Sequence, residues 1–474
     1  MQPQERSRCG TATASICSDI RACQPIAGDT NLEGNDTVKS PRSPDRLTDP
    51  AIPADATYRP ALTLLASLFF IWGFTTVINN TLLPHLRSVF DLSYKQTTLL
   101  ESVWFIAYFF ASLPSAWLIE RIGYQRAIVV GLLIMALGAL VMIPASRIPS
   151  YLLVLGALFV IAAGITLLQV AANPYVAVVG PPATASSRLN LVQAFNSLGT
   201  TLAPLFGGYL ILGRSTSGRS IDQSHVLTVA ERLADAQSVQ LPYLIIAAVL
   251  ILLAVVISRF RLPAMGVATR SAAKAERKNH SLWAHRNLVF GIPAIFIYLI
   301  AEIGVSNLFI NFVSQPEIGN LTHEQASHYL FLLWGGMMVG RFLGSFVMRF
   351  VPAEHVLAFA SVGAGLVMLT ASLSTGHIAM WALISVGLFH SIMFPTIFTL
   401  GIRDLGPLTE EGSGLLIMAI AGGALVIVQG VIADSYGLQV SFFLTAACEM
   451  YVLFYALWGA KACARCLPEA QNPR

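Results

Sequence analysis

Hydrophobic residues fill twelve long runs of this chain, and polar residues are largely confined to the segments between them. About 20 apolar residues in a row are enough for an α-helix to cross the hydrocarbon core of a bilayer. The runs therefore predict twelve membrane-spanning helices, to within a few residues at each end. They cover residues 61–86, 97–119, 127–146, 150–178, 188–213, 240–258, 288–313, 327–350, 353–375, 377–402, 412–434 and 439–460.

Two connections between these runs are long, 214–239 and 259–287, and the second divides the runs into two sets of six. That segment carries seven Lys and Arg residues against the single acid Glu276. Basic loops stay in the cytosol, so this loop and both chain termini are predicted to be cytosolic. The predicted order is a disordered tail, an N-terminal six-helix bundle, a basic linker, a C-terminal six-helix bundle and a short tail, at residues 1–57, 58–258, 259–287, 288–462 and 463–474.

Composition supports a membrane protein. Of the 474 residues, 55% are hydrophobic and 11% are charged, against about 25% charged residues in soluble domains. The small net charge of +4 requires no nucleic acid or acidic partner. Cys463 and Cys466 form a lone C-x-x-C without the second pair that a zinc site needs. No glycine-rich nucleotide loop is apparent, so we expect no metal, no cofactor and no enzymatic activity.

Two of the runs carry uncharged amides at membrane depth. On a helix that turns about 100° per residue, Thr166, Gln169 and Asn173 fall within about 60° of one another. In the next run, an arc of about 120° holds Asn190, Gln193, Asn196, Ser197 and Thr200. An amide that faces hydrocarbon without a partner costs several kcal/mol, so these stripes must face other helices or a water-filled cavity.

Hydrogen bonding between helices is one interpretation of these amides, and it contributes only about 0.6 kcal/mol per contact. The other interpretation is a cavity that holds a neutral, hydroxyl-rich solute. The convergence of five amides on two helices is more than packing requires, which favours the cavity. The first run adds Asn79 and Asn80 just before Pro84, and it also carries Trp72. An aromatic face can stack on a sugar ring, although packing remains the alternative for Trp72.

Ionisable residues inside the runs are candidates for coupling and gating. Glu302 lies near the middle of the seventh run, where a carboxyl is a functional-site hypothesis by default; a protonated, hydrogen-bonded carboxyl is the alternative. Arg341 lies before the cytosolic end of the eighth run, where it gates, snorkels or forms a structural pair. His390 in the tenth run and Glu449 in the twelfth are interpreted as structural.

A charged turn ends the second run and is a second candidate gate. Glu120 and Arg121 form an acidic–basic–x–Gly turn that can hold cytosolic helix ends together in one state and release them in another. A solvated, positively charged loop is the alternative. The spacing Ala116-x3-Glu120-Arg121 recurs as Gly344-x3-Met348-Arg349 at the end of the eighth run, which indicates a tandem repeat of six helices. Transporters built in this way place the solute near the membrane midplane between the repeats.

Several motifs resemble a known family. The turn Glu120–Gly123 looks like the loop after the second helix of the major facilitator superfamily, with Glu in place of the usual Asp. The run Ile161–Gly208 closely resembles the fucose–galactose–glucose symporter family of that superfamily, and Phe70–Gly73, Asn79–Leu86 and Ser391–Phe398 fit it too. The resemblance covers about residues 60–460 and points most to bacterial glucose/galactose transporters. The resemblance implies a fold of twelve helices in two six-helix bundles. It also implies that the protein takes up a sugar.

The chain departs from this family at two places. Fucose-type members carry carboxylates at the places of Asn80 and Gln169, and these are implicated in proton coupling and sugar binding. The amides here keep hydrogen bonding but exchange no proton near neutral pH. Gln169 is in keeping with the glucose/galactose branch. At Asn80, by contrast, the carboxylate of fucose-type members is lost. Glu302 is the remaining carboxylate on the predicted cavity helices and is therefore the candidate for coupling.

We expect an all-α integral membrane protein that takes up a neutral monosaccharide, glucose or galactose, by alternating access. The expected partners are the sugar, H⁺ or Na⁺ and membrane lipid, with no nucleic acid. A uniporter, a sodium-coupled carrier and a non-transporting sugar sensor stay as alternatives. We expect a monomer in the inner membrane. Trp72 is expected to pack against the sugar ring, and the hydroxyls are expected to bind Asn80, Gln169, Asn173, Gln193, Asn196 and Asn307.

Overall fold

The protein is seen here in a computed structural model that describes residues 58–90, 94–147, 150–207, 240–260 and 281–461. The twelve predicted helices are confirmed in this part of the chain. The predicted tails at 1–57 and 463–474, the loop 214–239 and most of the linker 259–287 lie outside it. In chain order, α1 to α12 are Tyr58–Phe90, Tyr94–Ile122, Tyr124–Arg147, Tyr151–Val178, Ala185–Gly207, Gln240–Arg259, Arg286–Val313, His323–Val347, Ala353–Leu373, Gly376–Gly401, Gly406–Tyr436 and Leu438–Gly459.

Hydropathy identifies eleven of these helices as membrane spans within the described residues, and α5 is the exception. Its polar stripe lowers its mean hydropathy, but its 23 residues extend over about 35 Å, which is long enough to cross a bilayer. The polar side chains avoid lipid because neighbouring helices cover them: Arg188 and Gln193 are only 6% and 3% exposed. The most polar span is therefore one that the rest of the fold encloses.

The helices pack as two groups of six, as predicted. In the first group α1 contacts α5, α2 contacts α4, and α3 contacts both α4 and α6. In the second group α7 contacts α12, α8 contacts α10, and α9 contacts α10 and α12. The main contacts between the groups pair α5 with α8 and α10, and α11 with α2 and α4. These six helices therefore form the boundary between the two groups.

Three helices of the second group are irregular at membrane depth. Helix α10 is interrupted at Ser391 and Ile392, α11 contains the 3-10 turn Ala419–Leu425, and α12 ends in the π-helical turn Tyr455–Gly459. Irregular backbone is tolerated in a membrane only where it is enclosed by protein or lines a cavity. At the α10 interruption, Tyr298 on α7 donates to the His390 carbonyl oxygen and Arg341 on α8 donates to the Ser391 carbonyl oxygen.

Helices α1 and α5 cross at two glycines. A Cβ atom on Gly73 would lie 2.3 Å from the Asn196 carbonyl oxygen, and one on Gly199 would lie 2.2 Å from the Phe70 carbonyl oxygen. Real Cβ atoms do not approach backbone this closely, so the crossing requires glycine at both places. The close approach lets Asn196 of α5 donate a hydrogen bond to the Phe69 carbonyl oxygen of α1 at 2.9 Å.

The variant Gly199→Ala is expected to destabilise the fold by about 1–3 kcal/mol, because the new methyl group forces α1 away from α5. Thermal unfolding of the detergent-purified protein, followed by size-exclusion chromatography, measures the change. Gly335→Ala is the matched control, since a Cβ atom there would meet no atom within 4 Å. Equal melting temperatures for the two variants would contradict the close crossing.

Candidate functional site

Three of the predicted hydroxyl-binding amides lie together in the first helical group. Gln169, Asn173 and Gln193 are 4%, 0% and 3% exposed. Gln193 Nε2 donates a hydrogen bond to Asn173 Oδ1 at 3.4 Å. Gln169 Nε2 donates to the hydroxyl of Tyr108 on α2 at 2.5 Å. We call Tyr108, Gln169, Asn173 and Gln193 the amide cluster.

One donor in the amide cluster has no partner. Asn173 Nδ2 is buried and forms no hydrogen bond within the described part of the chain. Leaving a buried donor unsatisfied costs about 1–3 kcal/mol, whereas a ligand hydroxyl or a water would satisfy it. The cluster therefore has both donors and acceptors for a polar neutral solute, and one donor is already available.

Sequence reasoning missed Tyr108 because the second apolar run carries no amide stripe that singles out one face. The structure places its hydroxyl on Gln169. A tyrosine hydroxyl both donates and accepts, so half-buried Tyr108 can orient the Gln169 amide or bind a solute hydroxyl itself. Only the packing of α2 against α4 reveals this role.

The remaining predicted binding residues do not lie together in one cluster. Trp72 is 8% exposed and packs edge-to-face on Phe69, with ring centroids 5.1 Å apart. Asn196 Nδ2 donates to the Phe69 carbonyl oxygen at 2.9 Å, so its donor joins α1 to α5. Asn307 is exposed on α7. Asn80 lies on α1, but its side chain is outside the described part of the structure.

Small polar side chains join the two helical groups near the helix ends that the sequence predicts to be cytosolic. Ser187 Oγ donates to the Ser345 carbonyl oxygen at 2.6 Å, and Ser345 Oγ donates back to the Ser187 carbonyl oxygen at 2.9 Å. Asn190 Nδ2 donates to Thr396 Oγ1 at 3.2 Å. We call this line of contacts the seam; it also includes the hydrogen bonds Ser186–Thr399 and Ser413–Val170.

Arg341 on α8 contacts α5 at the end of the seam that lies farthest from the predicted cytosolic helix ends. Its guanidinium donates to the Gln193 carbonyl oxygen at 3.3 Å and to Ser197 Oγ, both on α5. It also donates to the Ser391 carbonyl oxygen at 3.0 Å. Snorkelling does not describe this arrangement, because the charge is held between the helical groups. From Ser186 to Ser197 the seam extends over about 16 Å of α5, roughly half of the hydrocarbon core.

A group of ionisable side chains lies beside Arg341 in the second helical group. His390 Nε2 and Glu449 Oε1 are 2.9 Å apart, and both residues are buried. The Tyr298 hydroxyl donates to the His390 carbonyl oxygen at 2.9 Å. Glu302 is half-buried and lies one helical turn after Tyr298 on α7. We call Tyr298, Glu302, Arg341, His390 and Glu449 the charge cluster.

Comparison with known proteins decides the family. Residues 64–428 match the family model described as Major Facilitator Superfamily. The chain belongs to the major facilitator superfamily.

Relatives and solved structures within the superfamily agree with this assignment. A "Glucose/galactose transporter" of Brucella abortus is 45% identical over 406 residues, which cover 85% of this chain and 95% of the relative. The "L-fucose-proton symporter" of Escherichia coli is 34% identical over 427 residues, covering 87% of this chain and 95% of the relative. The crystal structure of the superfamily transporter FucP in the outward conformation superposes with a TM-score of 0.78 at 32% identity; the match covers 85% of this chain and all of that one.

Membership settles the broad class of the protein. It is a multi-pass membrane transporter and not an enzyme, as the sequence predicts. The seam joins the two helical groups near the helix ends that are predicted to be cytosolic.

The superfamily loop after α2 is held firmly on the first helical group. Gly123 has φ +83°, a left-handed conformation that favours glycine. Gln125 Nε2 donates to the Ile257 and Phe260 carbonyl oxygens at 2.8 and 2.7 Å, which ties the loop to the end of α6. Arg121 stacks on the Trp117 ring at 3.5 Å, beside half-buried Glu120. Gating by Glu120 and Arg121 stays a prediction.

A buried cation that sequence reasoning passed over orders the amide helices. Arg188 at the start of α5 donates to the carbonyl oxygens of Val176, Ala177 and Pro181 at 3.2, 2.6 and 2.7 Å. A cation at a helix C-terminus is stabilised by the unsatisfied carbonyls and the helix dipole. Arg188 thereby fixes the end of α4 against the start of α5, and with it the relative position of the two amide stripes.

Proposed function

We propose that this transporter carries a neutral monosaccharide, glucose or galactose, into the cytosol by alternating access. The observation that carries the proposal is the amide cluster, where Asn173 Nδ2 lacks a partner among the described residues, Gln193 is bonded to Asn173 Oδ1 and Gln169 is bonded to Tyr108. The cluster contains hydrogen-bonding groups but no formal charge, which suits a solute with several hydroxyls and no charge. The relatives from Brucella abortus and Escherichia coli are a glucose/galactose transporter and an L-fucose-proton symporter, so both are named for neutral sugars.

In this proposal Gln169, Asn173 and Gln193 bind sugar hydroxyls directly, and Trp72 packs against the ring. Asn80, Asn196 and Asn307 are proposed to contribute as the helices move around the bound sugar. Several modest hydrogen bonds are appropriate for a carrier, because net contributions of about 0.5–1.5 kcal/mol each allow the sugar to leave again.

The seam supplies the closed state that alternating access requires. Its hydrogen bonds are made by serine, threonine and asparagine, and such bonds between membrane helices contribute about 0.6 kcal/mol each on average. A few of them hold the two helical groups together weakly enough for the seam to open in the transport cycle. We propose that Arg341 takes part in this gating, together with Glu120 and Arg121 at the end of α2.

Coupling to protons is proposed to use Glu302. The positions that carry carboxylates in fucose-type relatives are Asn80 and Gln169 here, so the amide cluster offers no carboxyl for a proton. Glu302 lies one helical turn after Tyr298, whose hydroxyl donates to the His390 carbonyl oxygen next to the bond between Arg341 and the Ser391 carbonyl oxygen. Because Asn80 has no proton to offer near neutral pH, a uniporter or a sodium-coupled carrier is the second candidate.

We propose that the protein resides in the bacterial inner membrane as a monomer, with both termini in the cytosol. The sugar and the coupling ion are its proposed small-molecule partners. The excess of basic residues in the linker 259–287 supports this orientation.

Uptake into proteoliposomes tests the function. Radiolabelled glucose and galactose are offered under a proton gradient, a sodium gradient or neither. We expect accumulation under the proton gradient only. Accumulation under the sodium gradient, or equilibration alone in every condition, would select the second candidate, and binding without counterflow would indicate a sensor. Absence of both binding and transport for either sugar would reject the proposal.

A further inference from the structure

Helix α11 holds a buried amide that no neighbouring residue satisfies. Gln429 is fully buried, and neither its Oε1 atom nor its Nε2 atom forms a hydrogen bond within the described part of the chain. The amide lies against α7, where a Cβ atom on Gly304 would be 1.8 Å from Gln429 Oε1. Because a buried amide without partners is costly, we expect this group to find its partners in another state of the protein.

The segment of α11 that precedes this amide packs beside the amide cluster. In the 3-10 turn Ala419–Leu425, a Cβ atom on Gly423 would lie 2.2 Å from the Phe105 ring of α2. Phe105 lies one helical turn before Tyr108, which belongs to the amide cluster. Gln429 follows Gly423 by six residues, about 9 Å along the helix. Helix α11 therefore brings Gln429 near the amide cluster from the side of the second helical group.

The amide cluster itself belongs entirely to the first helical group. Its members lie on α2, α4 and α5. A solute shifts a conformational equilibrium only if it binds the two states with different affinity. A sugar that contacted the first helical group alone would gain nothing from a movement of the second. An amide on α11 that lacks partners until the sugar arrives would supply this difference in affinity.

We propose that Gln429 binds a sugar hydroxyl from the second helical group when the transporter closes around its solute. This inference rests on the proposed function and adds a specificity-determining residue to it. An amide has two donor hydrogens and one acceptor oxygen, which suit the hydroxyls of a sugar ring. Since the amide exchanges an unsatisfied position for bonds to the sugar, sugar binding and the movement of α11 favour each other.

The 3-10 turn of α11 provides a way to move the amide. It has seven residues and ends four residues before Gln429, and 3-10 runs of this length are uncommon. A 3-10 helix turns about 120° and rises about 2.0 Å per residue, against about 100° and about 1.5 Å in an α-helix. Rewinding three residues to α-helix therefore rotates the following part of α11 by about 60° and draws it back by about 1.5 Å. Such a rotation takes the Gln429 amide off Gly304.

The variant Gln429→Met tests the inference, because methionine has a similar length and no hydrogen-bonding amide. Without sugar, the purified variant should unfold about 2 °C higher than the unaltered protein, since a buried unsatisfied amide has been removed. In equilibrium binding of radiolabelled glucose, the same variant should bind about tenfold more weakly. A variant that unfolds at lower temperature, or fails to fold, would show that the amide holds helices together and would overturn the inference. Unchanged affinity would overturn it equally.

Two control variants accompany this measurement. Gln439 donates a hydrogen bond to the Ser374 carbonyl oxygen at 2.8 Å, so Gln439→Met should unfold at lower temperature and keep its sugar affinity. Gly304→Ala disturbs the same contact of α7 with α11 but keeps the amide, because the new methyl group meets the flexible end of the Gln429 side chain. It should bind glucose within about twofold of the unaltered protein. If Gly304→Ala loses as much affinity as Gln429→Met, the loss belongs to helix packing and the inference is overturned.

Monodeoxy analogues of glucose identify the contact. The analogue that lacks the hydroxyl bonded by Gln429 should bind the unaltered protein and Gln429→Met with equal affinity, because neither complex contains the bond. For the other analogues the deficit of about tenfold should persist in the variant, as in any double-mutant cycle. A deficit of the same size for every analogue overturns a direct contact between Gln429 and the sugar.

The binding measurements separate this inference from the proposed function. An unaltered protein that binds sugar, together with a Gln429→Met variant that binds it equally well, overturns the role of Gln429 and leaves sugar transport standing. An unaltered protein that binds neither glucose nor galactose overturns the proposed function, and the role of Gln429 with it.

Discussion

Replacing Glu302 by glutamine is expected to abolish proton-driven accumulation of sugar while leaving sugar exchange intact. Glutamine keeps the shape and the hydrogen bonding of the side chain but cannot carry the proton. For one proton per sugar, each pH unit across the membrane supports about a tenfold accumulation, equivalent to about 1.4 kcal/mol. In Glu302→Gln the ratio should fall to about one, as measured by radiolabelled uptake into proteoliposomes.

The same proteoliposomes should still show counterflow, because exchange requires the sugar site and the moving seam but no net proton transfer. Glu354→Gln is the matched control. Glu354 begins α9 and pairs with Arg403 at 2.6 Å, away from the charge cluster. Accumulation should persist in this control. If Glu302→Gln accumulates sugar as the unaltered protein does, Glu302 is not the coupling group.

The second large effect is expected at the amide cluster, where Gln169→Ala combined with Gln193→Ala should weaken sugar binding by at least about thirtyfold. Each substitution leaves a sugar hydroxyl, and the former partner of the amide, without a hydrogen bond at a cost of about 1–3 kcal/mol. Equilibrium binding of glucose and of galactose measures the loss. Thermal unfolding checks that the double variant is folded.

A matched control exists for this pair as well. Gln439 on α12 donates a hydrogen bond to the Ser374 carbonyl oxygen at 2.8 Å, outside the amide cluster. Gln439→Ala removes the same kind of side chain and one hydrogen bond, and it should leave sugar affinity unchanged. Unchanged affinity in the double variant would remove the amide cluster from the binding site and would support interhelical bonding as its role.

The amide stripe of α5 shows how far sequence reasoning reaches. Its periodicity places polar residues within one arc, and the structure encloses them as that arc predicts. The arc nevertheless serves two purposes. Gln193 and Asn196 turn to α4 and α1, whereas Asn190 and Ser197 turn to the second helical group. A helical wheel gives angles within one helix but not the directions of its neighbours.

Charged and hydroxyl residues show the same limit of sequence reasoning, namely that it does not reveal contacts between helices. Glu302 and Arg341 stand out in sequence because ionisable groups are costly at membrane depth. The contact of Arg341 with the Gln193 carbonyl involves backbone, which no side-chain pattern reveals. The Ser187–Ser345 pair is equally hidden, since serine is common in membrane helices and its partner is distant along the chain.

The sequence by itself determined the number of membrane helices, their division into two sets of six and the family. These follow from the local length of apolar runs and from continuous motifs such as Ile161–Gly208. Only the tertiary structure decided that Tyr108 joins the amide cluster and that Arg341 connects α5 with the interruption of α10. The physical reason is that the bilayer selects spans by hydrophobic length, residue by residue, whereas a polar contact depends on how separate helices are rotated and aligned against one another.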